Sequence, residues 1–180
     1  MKIFESIAGI REYLQQQQQK NLSIGFVPTM GALHEGHLSI IRNADQENDI
    51  VVCSIFVNPI QFNNKEDLEK YPRTVEKDIE KLKENCCDVL FIPDNEEMYP
   101  EPETTVFDFG HLDKILEGKY RPGHFNGVAI VVKKLFEIIE PQKAYFGEKD
   151  YQQLAIIKHL VKKFNIPVEI VSCPTIREND

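Results

Sequence analysis

Three observations in this 180-residue chain predict an α/β protein built on an open parallel sheet with helices on both faces. Short apolar runs of strand length alternate with longer segments whose apolar residues recur at helical spacing. One of these runs, residues 50–57, is apolar almost throughout, as expected of a central parallel strand covered on both sides. The loops richest in unusual polar residues begin at Pro28, Asn58 and Gly147, each directly after a strand-like run. In an open parallel sheet that edge is where ligands bind.

Taken in order, Ser6 can cap a first helix whose inward stripe is Ile7, Ile10 and Leu14. The five glutamines at 15–19 that end it read as a solvated helix face. Residues 23–27 form the first strand, and Leu38, Ile41 and Ala44 mark the buried side of the next helix. After the strand at 50–57 comes Asn58-Pro59-Ile60-Gln61-Phe62, then an acidic and polar loop ending in Tyr71-Pro72-Arg73-Thr74. Thr74 can cap a helix with Val75, Ile79 and Leu82 inward. Residues 89–92 are a further strand closed by Pro93, and residues 105–109 are a strand or an edge segment. A glycine- and proline-bearing loop at 118–125 leads into a largely apolar helix over about 128–139. A short strand at 143–146, a helix at 151–164 with Leu154, Ile157 and Val161 inward, and a last strand at 168–171 complete the alternation. No internal repeat or interdomain linker interrupts it.

The length and the 42% hydrophobic content suit one domain with a sizeable core. A formal net charge of -8 disfavours binding to a nucleic-acid backbone, which rests on a basic surface. An anionic small molecule then needs a locally positive spot or a divalent cation. The first residues lack the apolar core of a signal peptide, and no stretch is long enough to cross a membrane. The four cysteines form no C-x-x-C pair; Cys86 and Cys87 are adjacent, and Cys53 and Cys173 lie in strand-like runs. These features lead us to expect a reducing, cytoplasmic setting.

The chemistry gathers first at Met30-Gly31-Ala32-Leu33-His34-Glu35-Gly36-His37. Two histidines flank a glycine where a helix should begin, and a helix start offers unpaired N–H groups and partial positive charge to a phosphate. Gly36, without a Cβ, lets a nucleotide approach the backbone, while the imidazoles supply donors that can follow developing negative charge. A single histidine at such a place is usually an ordinary polar cap; the pair after an apolar strand and a Thr-Met-Gly turn points to function. Lys149 could neutralise phosphate charge and Asp150 accept from ribose hydroxyls. Asn58, Gln61 and Gln153 could read a hydroxyl or carboxylate without adding charge. Arg73 and His124 are loop anchors or lid residues, His111 and His159 surface or satisfied histidines. Asp67, Asp78 and Asp150 are the candidate metal ligands.

These stretches, with Arg121-Pro122-Gly123-His124-Phe125-Asn126-Gly127 and Tyr145-Phe146-Gly147-Glu148-Lys149-Asp150-Tyr151-Gln152-Gln153, resemble the pantoate–β-alanine ligases in order and over nearly the whole chain. The resemblance implies a Rossmann-like, nucleotidyl-transferase-type fold. It also implies a two-step, Mg²⁺-using reaction in which pantoate attacks the α-phosphate of ATP and β-alanine then displaces AMP from pantoyl adenylate. Carried over by motif, it places Met30 to His37, Gly147, Glu148, Lys149, Asp150 and the backbone near Ile176 at ATP. It makes His37 and His34 catalytic, puts Asn58 and Lys149 at the reacting phosphate, Gln61 and Gln153 at pantoate, and Gln61 also at β-alanine. It further implies a homodimer. Residues 175–180 precede the family's serine- and arginine-containing signature and its smaller C-terminal domain. Residues 1–180 therefore read as the nucleotide- and pantoate-binding N-terminal domain, expected to bind ligands yet to have little activity alone. Two rival classes remain: a nucleotidyltransferase that leaves the nucleotide on its product, which the same histidine turn would serve, and a non-catalytic nucleotide sensor, in which Lys149 and both histidines would be expected to have decayed, whereas here they are intact.

Overall fold

The computed structural model describes residues 1–177; of the closing stretch, residues 178–180 lie outside the described residues. Six strands form one sheet: β1 (Lys2–Phe4), β2 (Ile24–Thr29), β3 (Ile50–Ile55), β4 (Val89–Phe91), β5 (Lys143–Gly147) and β6 (Glu169–Cys173). Their order is β1-β4-β3-β2-β5-β6, and every neighbouring pair is parallel. From β2 the chain steps outward to β3 and β4, then returns past β2 to lay down β5 and β6. The reversal falls between β2 and β5, and such a switch point opens a crevice at the carboxyl ends of the strands. Here β2 and β5 pair only through Gly25↔Lys143 and Phe26↔Ala144, whereas β2 and β3 pair as far as Thr29↔Ile55. Pro28 sits in the part of β2 that β5 has left, where its missing N–H costs no ladder bond.

Side chains alternate across the sheet, as strand geometry requires. Phe26, Val52, Phe91 and Phe146 face α1 (Ile7–Gln18), α7 (His124–Ile139) and α8 (Tyr151–Phe164). Val27, Cys53, Leu90 and Tyr145 face α2 (Glu35–Glu47) and α4 (Val75–Glu84). Both faces are thus covered, which is why residues 50–55 are buried without a polar interruption of period two. A third apolar cluster joins Phe107 and Phe109 to the outer sides of α7 and α8 through Phe125, Ile130, Ile156 and Leu160. Helix α7 is apolar on almost every side because it is packed on almost every side.

The helix at 151–164 and the Ser6 cap stand as expected; Ser6 Oγ accepts the Gly9 N–H at 3.2 Å. Four expectations change. β1 is an exposed three-residue edge strand with no alternation to reveal it. The acidic loop contains α3 (Lys65–Lys70), capped by Asn64 and carrying Glu66 and Asp67 in its first turn and Lys70 in its last. No residue of α3 is buried, so only its caps and its charge placement toward the helix dipole record it. Thr74 stands at the cap position of α4 but makes no capping bond; its hydroxyl donates instead to Asp78 Oδ2 at 3.1 Å. Residues 105–109 form no strand. Their backbone pairs with a side chain: Phe107 N–H donates to Asn126 Oδ1 at 2.8 Å, and Asn126 Nδ2 donates to the Thr105 carbonyl at 2.9 Å.

Candidate active site

A cavity of about 350 Å³ lies at the switch point between β2 and β5. Three segments bring polar groups to it: the loop between β2 and α2, the turn after β3, and the start of α8.

The first is a strained turn. Gly31 and Ala32 both have left-handed backbones, with φ of 80° and 50°. Glycine takes that conformation freely, but an alanine there costs about 1–2 kcal/mol. The conformation is held from behind by α4. Asp78, with 0% of its surface exposed, accepts the Ala32 N–H on Oδ2 and the Leu33 N–H on Oδ1, each at 2.8 Å. Lys81, one turn further along the same face of α4, donates to the Leu33 carbonyl. Thr29 Oγ1 accepts the Gly31 N–H at 3.2 Å and donates to the Ser54 carbonyl at 2.7 Å. Hydrogen bonds to a charged group are worth about 1.5–3 kcal/mol each, so two from one carboxylate outweigh the strain.

This turn delivers His34 to the N-cap of α2, where the two histidines brace each other. His34 Nδ1 accepts the Gly36 N–H at 3.1 Å, and His37 Nδ1 accepts the His34 N–H at 3.3 Å, with the ring centroids 4.1 Å apart. A ring nitrogen that accepts from a backbone amide carries no proton, so each neutral imidazole holds its proton on Nε2. Both rings border the cavity. Burial lowers the His37 pKa to about 4, helped by His34, Lys149 and Lys81 and opposed by Asp78. His37 is therefore a neutral donor at physiological pH. Gly36 borders the cavity too, but has a second reason to be glycine: a Cβ there would meet His34 Cε1 at 2.8 Å.

The turn after β3, a 3-10 helix at Pro59–Gln61, is organised by neutral groups. Asn58 is 1% exposed and does not border the cavity. Its Nδ2 donates to Gln61 Oε1 and to the Gly127 carbonyl, each at 3.1 Å. The resemblance put Asn58 at the reacting phosphate region; the structure sets it one layer beneath Gln61, outside the cavity lining, where it can act by positioning. Gln61 borders the cavity, and its Nε2 lies 3.1 Å from Met30 Sδ, joining the two loops. His124, 6% exposed, is no lid residue. Its Nδ1 donates to the Gln61 carbonyl at 2.8 Å, and burial lowers its pKa. Gly127 lets α7 pack directly on this turn, since a Cβ would lie 2.6 Å from Gln61 Cα.

At the far wall, Gly147, Lys149, Asp150 and Gln153 line the cavity, as does Ile176 beyond β6. Lys149 is in no ion pair among the described residues. Asp150 stands at the N-cap of α8 without a side-chain capping bond, which leaves its carboxylate free. Of the remaining expected residues, Gly31, Ala32, Leu33, Glu35 and Glu148 do not border the cavity. Leu33 is a buried plug in the core, and Glu35 is exposed and paired with Arg42. Arg73, with Gly31 and Asp78, borders a neighbouring hollow on the other side of Met30.

Sequence reasoning missed two features. The floor of the cavity is a stripe of α7, Val128, Val131, Val132 and Leu135, whose helical spacing is hidden because all of α7 is apolar. Asp78 stood as a metal candidate; its two oxygens hold the histidine loop instead. Its signal was an acid on the inward face of an amphipathic helix, one residue before Ile79.

A paired histidine cap, a free lysine and a polar-rimmed cavity at the switch point of a parallel sheet define an α/β domain of the nucleotidyltransferase-like type. The comparisons with known proteins agree and go further. Residues 2–180 match the family model described as pantoate-beta-alanine ligase. The chain is 55% identical over 180 residues to a pantothenate synthetase of Porphyromonas gingivalis, covering 100% of this chain and 64% of that one. It is 53% identical to one of Aquifex aeolicus, covering 99% of this chain and 63% of that one. Among solved structures, the pantoate-beta-alanine ligase of Francisella tularensis, complexed with beta-gamma ATP and beta-alanine, superposes with a TM-score of 0.95 at 47% identity. It covers 99% of this chain and 68% of that one. The pantothenate synthetase of Thermus thermophilus gives 0.92 at 49%, covering 99% of this chain and 63% of that one. The chain belongs to the pantoate–β-alanine ligase family. It spans about 64% of the length of the first curated relatives it matches.

Proposed function

We propose that this cavity binds ATP and pantoate together and joins them as pantoyl adenylate, from which β-alanine then displaces AMP to give pantothenate. In the first step a pantoate carboxylate oxygen attacks the α-phosphorus of ATP. A new O–P bond forms, the bond to the β-phosphate oxygen breaks, and pyrophosphate leaves with the electron pair. In the second step the β-alanine amine attacks the acyl carbon, AMP leaves with its phosphate oxygen, and the amine loses a proton to solvent.

The observation that carries this reading is the meeting of two differently equipped loops over one cavity. His34 and His37 offer two Nε2–H donors at a helix start, an arrangement that favours phosphate oxygens, and His37 is held neutral by burial. Among the described residues that line the cavity, Lys149 supplies the one fixed positive charge. Gln61 and Gln153 are uncharged, so they can orient a carboxylate without lowering its nucleophilicity as a bidentate arginine would. The apolar stripe of α7 matches the geminal methyl groups of pantoate. Glu148, Gly31, Ala32 and Leu33 serve the nucleotide through the backbone they set, and Ile176 closes the adenine side. The β-alanine carboxylate would also reach Gln61. The bound ATP and β-alanine of the Francisella relative support the same assignment.

Among the described residues no group of three or more His, Cys, Asp or Glu side chains converges as a metal nest. Mg²⁺ would enter as part of the substrate, on the ATP phosphates, and Asp150, the carboxylate among the described residues that line the cavity, would be its protein partner. A homodimer in the cytoplasm completes the proposal; three of the four free cysteines are buried thiols, in keeping with a reducing compartment.

The test is pyrophosphate release from ATP with and without pantoate, followed by β-alanine addition. Pantoate-dependent release, then AMP and pantothenate in equal amounts, is the expected result. Release that ignores pantoate, or AMP retained on the end product, would replace this reading with the nucleotidyltransferase one.

A further inference from the structure

Tyr99 follows α5 (Asn95–Met98) and does not line the cavity, yet its hydroxyl ends a continuous polar chain that reaches it. Its ring is half-buried against Phe56, centroids 6.1 Å apart, and Lys134 Nζ lies over it, 5.0 Å from the ring centre. The hydroxyl is 2.9 Å from Asn58 Oδ1, and Asn58 Nδ2 is 3.1 Å from Gln61 Oε1.

The direction of every bond in this chain follows from its fixed ends. Asn58 Nδ2 faces the Gly127 carbonyl, which can only accept, and Asn58 Oδ1 faces the Ile60 N–H at 3.3 Å, which can only donate. The amide of Asn58 therefore has one orientation, and the Tyr99 hydroxyl is a donor to it. Since Asn58 donates to Gln61, the Gln61 oxygen is taken, and its Nε2 is the half left toward Met30 and the cavity. A side-chain amide is otherwise free to present either end.

We propose that Tyr99 is a positioning residue for the acid substrate: acting through Asn58, it holds Gln61 with its N–H end in the cavity, so that this wall recognises an oxygen acceptor. The inference rests on the reading that pantoate occupies the cavity beside Gln61. Burial raises the Tyr99 pKa, with Glu103 adding to the effect, so the phenol keeps the proton it donates across the neutral range. At Asn58 Oδ1 the 3.3 Å bond from Ile60 is long, which makes the 2.9 Å bond from Tyr99 the stronger of the two that hold this oxygen.

The test is Tyr99→Phe, which removes the hydroxyl and keeps the ring in its contacts. Loss of one buried hydrogen bond predicts a pantoate Kd about fivefold higher by calorimetry. The ATP Kd should stay within about twofold, as expected for a residue acting on one ligand's wall alone. A second readout needs no ligand: the side-chain amide resonance of Gln61 in a ¹H–¹⁵N spectrum, assigned by its disappearance in Gln61→Ala. It should move in Tyr99→Phe and stay in place in Lys134→Met, which removes the cation over the ring and leaves every hydrogen bond from Tyr99 to Gln61 in place. Equal weakening of both ligands, or an unmoved Gln61 resonance with unchanged pantoate binding, overturns the proposal. If the unmutated protein does not bind pantoate, the functional reading fails, and the Gln61 resonance decides the positioning role by itself.

Discussion

The loop between β2 and α2 and the turn after β3 face the same cavity, yet one is held by charge and the other by neutral hydrogen bonds. Behind the histidines stand the Asp78 carboxylate and the Lys81 ammonium, gripping successive peptide groups of a strained turn. Behind Gln61 stand Asn58, the His124 imidazole and the Tyr99 hydroxyl. The difference matches what the proposed function asks of each loop. A turn containing a left-handed alanine needs strong bonds to persist, and a buried carboxylate supplies them at a place the ligand does not touch. A wall that orients a nucleophilic carboxylate is better left without fixed charge. In both cases the support is set one layer back from the cavity, ionic behind the histidines and neutral behind Gln61.

The sharpest way to break this comparison is His37→Ala. Removing one preorganised donor at a phosphate costs about 10²–10³ in rate. Pantoate-dependent pyrophosphate release should fall by that factor with the thermal midpoint nearly unchanged; a rate loss accounted for by unfolding would contradict it. Asp78→Asn comes next. Asparagine has one acceptor oxygen where two amides donate, so its NH₂ group would face a backbone N–H. The expected cost is about 2–4 kcal/mol of stability, measured by denaturant titration. Alongside it, ATP should weaken more than pantoate in calorimetry. Equal weakening would mean that the carboxylate supports the fold and not the histidine loop in particular.

Much of this comparison was legible in the residues themselves, and the rest was not for physical reasons. The sheet, its helices and the placement of His34, His37, Gln61, Lys149, Asp150 and Gln153 around one space follow from apolar periodicity and from the loops at strand ends. Helix α3 was not legible, because a helix with no buried face has no apolar period. Nor was the role of Asn126, since a side chain standing in for a strand neighbour leaves the same apolar pattern as a strand. Asn58 could not be separated from Gln61 by type or spacing; only burial, 1% against 7% exposed with Gln61 at the cavity wall, assigns one to support and the other to contact. Asp78 was visible as an acid but not as a clamp, because its partners are backbone amides more than forty residues earlier.

A smaller effect concerns protonation. Between pH about 4 and the ordinary histidine value of 6.5, the unfolded chain binds a proton at residue 37 that the folded chain does not. The contribution of His37 to stability is therefore complete above pH 6.5 and is lost as the pH falls toward 4. In a histidine C–H titration by NMR, its resonance should have a midpoint near 4, with an ordinary midpoint near 6.5 as the contrary result. Smallest of all, Ala32→Gly should relieve the left-handed strain and leave the protein unchanged or stabler by up to about 1 kcal/mol. A clear loss of stability would show that the alanine methyl packs in a way that matters more than the strain.

The central claim is a division of labour between the two loops, and one set of titrations tests it directly. Calorimetry with a non-hydrolysable ATP analogue and with pantoate, each alone, should be run on the unmutated protein, His37→Ala and Gln61→Ala. Losing a hydrogen bond to a charged ligand costs about 1.5–3 kcal/mol, or roughly ten- to hundredfold in Kd. The account predicts that His37→Ala takes this loss on the ATP analogue and spares pantoate, while Gln61→Ala takes it on pantoate and spares the analogue. Two variants that weaken both ligands to the same extent would contradict it.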